Sequence, residues 1–163
     1  MSTLLNGPVC QCALPCGARF AIWSFRVARL SVRGSSTARD RLREIGDCLN
    51  VPDMALPLEQ WMRTLDQYTP GGVDVREFGS PYLSDTEIEL LAAMAWLQQG
   101  EVHMAKRLLA RHVDAENLAS VLQAADFWVL RLKQIGIQLA PLQEPESRRH
   151  DPRAKVVPLK ALN

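Results

Sequence analysis

One stretch, Ser84 to Gly100 (SDTEIELLAAMAWLQQG), limits the fold more than any other part of this 163-residue chain. Ser84 is followed three positions later by Glu87. At that spacing a Ser hydroxyl accepts from the Glu amide while the carboxylate reaches back to the Ser amide, a helix-start signature. Asp85 and Glu87 also put negative charge where the helix dipole favours it. From Leu90 to Trp96 no polar or charged residue occurs, and Leu97 extends the run. A helix that is apolar on every side must be enclosed by other elements, and this one is too short to cross a bilayer. Gly100 supplies the left-handed residue that ends many helices. The stretch therefore predicts a central core helix.

The segments on either side carry helical periodicity too. Glu101 to His112 places Val102, Ala105 and Leu109 inward and Lys106, Arg107 and Arg111 outward. Almost no turn separates it from the central helix, so the two form an antiparallel hairpin. Asp114 is the expected cap of a last helix running to about Ile135 and closed by Gly136, with Leu118, Val121, Ala125, Trp128 and Leu132 as its packing seam. Upstream, Pro57 opens LEQWMRTLDQY, where Leu58, Trp61, Met62 and Leu65 form one apolar stripe before Thr69-Pro70-Gly71-Gly72 stops it. Residues 73–83 read as a loop, because the Val73/Val75 alternation is too brief for a strand. The expected fold is all-α, a small helical bundle built around a central helical hairpin and occupying residues 54–140.

Charge divides the chain differently. Residues 1–53 carry seven Arg against four acids, residues 54–142 seven Lys or Arg against eleven acids, and residues 143–163 five against three. The foldable middle is acidic and both ends are basic, which disfavours a phosphate-backbone partner. The first 39 residues hold five Arg and five Ser with no acid, the composition of an organelle-targeting peptide. Arg19, Arg26, Arg29 and Arg33 share one helical sector beside Phe20, Trp23, Val27 and Leu30. Three readings of residues 19–33 stay open: a targeting or membrane-surface helix, an extra core helix, or part of a dispensable leader. The leader reading is carried forward, with one weak helix over Thr37–Leu49, capped by Ser36 and weakened by Gly46. It makes residues 54–163 sufficient for folding. Residues 141–163, rich in Pro, Glu, Arg and Lys without periodicity, read as a disordered basic tail.

Chemistry-bearing residues are few. Cys10, Cys12 and Cys16 form C-x-C-x3-C, with Cys48 alone. A soft metal ordinarily takes C-x2-C with a second pair downstream, so free, reduced thiols in a cytoplasmic protein are expected and no metal site is assigned. His103 and His112 are nine positions apart, about half a helical turn out of phase, and His150 lies in the tail. Asp126, set in AADFWVL, reads as solvent-facing, and Trp61, Trp96 and Trp128 as core aromatics. No phosphate loop, dinucleotide fingerprint or nucleophile elbow is present. No catalytic residue and no cofactor is expected.

Two resemblances bear on function. AWLQQGEVHMAKRLLARH resembles the middle of a tetratricopeptide repeat. Ala95 and Trp96 stand at its small-then-aromatic positions, Gly100 at the inter-helix turn, Ala105 at the close-crossing position and Leu109 at the later large apolar one. His112 stands where a second small residue belongs, no closing Pro follows, and no second copy appears, whereas a solenoid takes about three repeats. Over residues 84–112 the resemblance implies protein or peptide binding and marks packing positions, with no binding residue carried over. LSDTEIELL looks like the opening of the helix-turn-helix domain of quorum-sensing-type regulators. The third helix, LASVLQAADFWVLRL, departs from it by lacking the basic and hydroxyl residues of a recognition helix. The expected function is a non-catalytic protein–protein interaction module (an adaptor, chaperone or regulatory subunit) that binds a partner protein through a helical surface. The alternative is a helix-turn-helix DNA-binding regulator.

Overall fold

The computed structural model describes residues 8–141 and contains six α-helices among them: α1 Cys16–Val32, α2 Ser36–Cys48, α3 Ala55–Tyr68, α4 Asp85–Gln98, α5 Val102–Leu109 and α6 Leu118–Gln134. No strand is found among the described residues; the nearest approach is a single antiparallel bridge between Cys10 and Tyr82. The fold is the expected all-α bundle. One hydrophobic core runs through all six helices, from Leu14 to Leu139. The most extensive helix pairs are α3 with α6 and α4 with α5.

At the centre, α4 begins as its residues dictate. The Ser84 hydroxyl accepts from the Glu87 amide at 3.0 Å, and Glu87 Oε2 accepts from the Ser84 amide at 2.9 Å. Leu90, Ala93, Met94 and Ala95 have no exposed surface, while Trp96 is half-buried against the core. Gly100 takes φ 81°, a left-handed conformation at no steric cost, and turns the chain into α5. Ala105 and Leu109 face the core; Val102, expected inside, is 46% exposed in the first turn of α5. The last helix starts later than expected. Asp114 accepts from the Asn117 amide in a preceding turn, Asn117 is the cap, and α6 begins at Leu118. Val73 and Val75 are buried although the 73–83 segment is a loop, as expected.

The N-terminal half takes the core-helix alternative for residues 19–33. Ile22, Phe25 and Ala28 of α1 are fully buried, and Phe25 meets Trp61 of α3 edge-on with ring centroids 5.4 Å apart. The face of α1 that enters the core is therefore not the apolar sector read beside the arginines: of that sector Val27 is buried, Phe20 and Trp23 are half-buried against the core, and Leu30 is 43% exposed. Helix α2, capped by Ser35 instead of Ser36, adds Ala38 and Leu42. Gly46, read as a weakness, permits a close approach: a Cβ there would stand 2.9 Å from the Val51 carbonyl oxygen. The chain then passes through a 3-10 turn, Pro52–Met54, straight into α3, whose first turn holds Pro57. The core therefore begins well before Met54.

One buried ion pair ties these halves together. Arg26 of α1 and Glu87 of α4 have side chains 2% and 0% exposed, and Arg26 Nε donates to Glu87 Oε1 at 2.8 Å. Its Nη2 donates to Glu87 Oε2 (3.1 Å) and to the Tyr82 carbonyl (2.9 Å). Its Nη1 donates to the Ser80 carbonyl (2.6 Å) and to Gln11 Oε1 (3.3 Å). Glu87 accepts further from the amides of Arg76 (3.2 Å) and Ser84 (2.9 Å). Burying two charges is tolerated when every lone pair and proton finds a partner, and here each does. The fork clamps α1, the segment around Gln11, the 76–82 loop and the start of α4 onto one another.

Candidate functional site

The expected chemistry-bearing residues do not converge. His103 is exposed on α5, with Nδ1 3.4 Å from Glu101 Oε2. His112 follows α5 and meets Glu89 of α4 through Nε2, while Arg111 contacts the other Glu89 oxygen. That cluster pins the end of the α4–α5 hairpin. Asp126 is exposed, as expected; Trp61 and Trp128 are fully buried. His150 and residues 142–163 of the expected tail lie outside the described residues. Among the described residues no group of three or more His, Cys, Asp and Glu side chains is placed to hold a metal. Instead of free thiols at all four positions, Cys10 and Cys12 form a disulfide, leaving Cys16 and Cys48 free and exposed.

What the fold does build is a groove along its most extensive helix contact. Because α3 has a narrow stripe (Leu58, Trp61, Met62, Leu65) inside, Gln60, Thr64, Gln67 and Tyr68 remain toward solvent or half-buried. Helix α6 buries Val121, Ala125, Trp128 and Leu132, which leaves Ser120, Gln123 and Phe127 outside. With Ala124 on its floor, these residues line an open groove of about 310 Å³ between the two helices. Its lining bears amides and hydroxyls but no charge. Phe127 is 53% exposed, and Leu130, three residues on and therefore on the same helical face, is 53% exposed as well. Leu56 stands four residues before Gln60 on α3 and is 65% exposed. Apolar side chains thus extend the groove along both helices.

Sequence reasoning identified the seam of α6 but not the residues left over from it. The available signal was excess: LASVLQAADFWVLRL holds more apolar residues than one seam can bury, so Phe127 and Leu130 had to face outward. The groove's lining offers hydrogen-bonding groups and apolar area. Amide side chains donate and accept at once, which suits peptide groups, while a half-exposed ring and two leucines offer apolar area. No nucleophile and base approach each other along it.

No family model matches the chain, and neither curated proteins nor solved structures give a match. The fold and the groove define the class: an all-α bundle with one uncharged, partly apolar groove between two helices. No helix of the described residues is long and apolar enough to cross a membrane.

Proposed function

We propose that this chain is a non-catalytic interaction module that binds a partner protein through the outward face of α3 and α6. The observation that carries the reading is the groove with Phe127 and Leu130 beside it, apolar surface left exposed where the core no longer needs it. Aromatic anchors flanked by uncharged hydrogen-bonding groups are what protein interfaces use at their centres. The α4–α5 hairpin, with Ala95 and Ala105 packed in the crossing, serves as a single tetratricopeptide-like brace behind that face.

The DNA-binding alternative gains nothing from the outward side of α6. That side presents Ser120, Gln123, Asp126, Phe127 and Leu130, with Arg131 and Lys133 only near its end. Phosphate contacts need clustered cations. On the hairpin, Lys106 and Arg107 are free in solvent, but Arg111 is engaged by Glu89.

The test uses the intact chain as bait, alongside a Phe127→Asp/Leu130→Asp double variant and a Leu49→Asp control at the end of α2. The reading expects one stoichiometric partner that survives high salt, is retained by the control and is lost by the double variant at an unchanged melting temperature. Equal capture by all three proteins rejects this face. Salt-sensitive, sequence-specific DNA retention by the unmodified chain rejects the class.

A further inference from the structure

We propose that Cys10 and Cys12 are a thiol–disulfide exchange site for small anionic thiols of the glutathione type. Three of the four cysteines lie within seven residues; Cys10 and Cys12 sit at one surface turn and Cys16 opens α1 just after it. Cys10 and Cys12 bracket the 3-10 turn Gln11–Ala13 with Cα atoms 5.3 Å apart, inside the range a disulfide spans, and they are bonded to each other. A pair separated by one residue forms locally and needs no long-range closure, so its redox state changes without unfolding the bundle.

The surroundings divide the two sulfurs into different roles. Cys12 is exposed, whereas Cys10 is half-buried and held by its neighbours: the Gln11 amide donates to the Pro81 carbonyl at 2.7 Å, and the Leu83 amide to the Val9 carbonyl at 3.0 Å. An incoming thiolate therefore reaches Cys12. The Cys12 amide donates to Cys10 Sγ at 3.3 Å, so an N–H already points at the sulfur on which negative charge develops as the bond breaks. In the step, the sulfur of R–S⁻ bonds to Cys12 Sγ, the Cys10–Cys12 bond breaks, and its electron pair leaves on Cys10, which takes up a proton. A second R–S⁻ then attacks the R sulfur of the mixed disulfide. R–S–S–R leaves, Cys12 is released as thiolate and is protonated, and the pair is reduced by two electrons. Oxidation by R–S–S–R runs the same steps in reverse.

The reagent's charge follows from the electrostatics. Arg19 is exposed with Nη2 3.1 Å from Cys16 Sγ, so a cation stands beside the third cysteine of the cluster. An anionic thiol is drawn to that surface. The clasp also touches the core, because Gln11, between the two cysteines, accepts from Arg26 Nη1.

The fully reduced chain is incubated with glutathione disulfide, and in parallel with cystamine, a cationic disulfide. Products are quenched with acid, alkylated and mapped by mass spectrometry, for the unmodified protein and for Cys10→Ser and Cys16→Ser. The expected product in the unmodified protein and in Cys16→Ser is an internal Cys10–Cys12 bond with reduced glutathione released. Cys10→Ser is expected to stop at a stable glutathione adduct on Cys12. Glutathione disulfide is expected to react several-fold faster than cystamine at low salt, with the difference vanishing at high salt. Glutathionylation of Cys16 and Cys48 with Cys10 and Cys12 left as thiols overturns the proposal, as does an internal bond that maps to Cys16. Equal rates for the two reagents at low salt overturn the anionic preference.

Discussion

Arg26 and Arg29 lie three residues apart on α1 and both turn inward, yet their surroundings differ in kind. Arg26 spends all three nitrogens on five acceptors, two of them the oxygens of Glu87. Arg29 donates through Nη1 to the Val75 carbonyl, while its Nε is buried without a partner. Burial, aided by the positive charge of Arg33, pulls the Arg29 pKa down, and the carboxylates of Asp66, Asp74 and Glu87 only partly oppose this. Outcomes of different size follow for their removal. Arg26→Met strands Glu87 as a buried carboxylate and is expected to cost about 3–5 kcal/mol, read from the urea midpoint. Arg29→Met removes an incompletely satisfied charge and is expected to change stability by no more than about 1 kcal/mol, in either direction. Adding Glu87→Gln to Arg26→Met should recover part of the first loss, and strictly additive effects would mean the pair is not coupled. Glu89 touches both Arg111 and His112 at 22% exposure, so Glu89→Ala should lower stability measurably.

Elements show where a sequence can be read and where it cannot. The start of α4, its turn at Gly100 and the hairpin with α5 were legible because they follow from rules spanning three or four residues. The groove's polar lining was not, since it depends on which stripe of α3 faces which stripe of α6. Nor was the place of α1, whose arginines look like a solvated face until Glu87, 61 residues away, is brought beside Arg26. Val102 shows the same limit: an apolar residue in the first turn of a short helix has no neighbour to bury it. At this scale Ala105, fully buried in the α4–α5 crossing, should resist enlargement. Ala105→Leu is expected to cost about 1–3 kcal/mol by overpacking, whereas Val102→Ser should leave the melt nearly unchanged. Helices α1 and α2 bear on the larger question of where the fold begins. Residues 54–163 alone lack Phe25, Ile22 and Leu42 and leave Trp61 and Glu87 uncovered. That truncation is expected to lose the cooperative melt seen by circular dichroism in the full chain, and an unchanged melt would return the N-terminal half to a dispensable leader.

For the whole molecule, one core and one buried clamp make stability a property of the full described chain, while Phe127 and Leu130 at the groove along α3 and α6 belong to neither. Substitutions at Phe127 and Leu130 should therefore leave folding untouched and alter only what the protein meets. The clamp also has a historical consequence. Loss of Arg26 or Glu87 alone leaves a charge sealed in the core, so a lineage can pass from this pair to another only by crossing a poorly folded intermediate or by changing both positions nearly together. Descendants and ancestors of this fold should show an arginine on the first long helix and a glutamate three residues after a Ser, kept jointly or lost jointly. That paired absence or presence would trace kinship between chains whose remaining residues have drifted beyond resemblance.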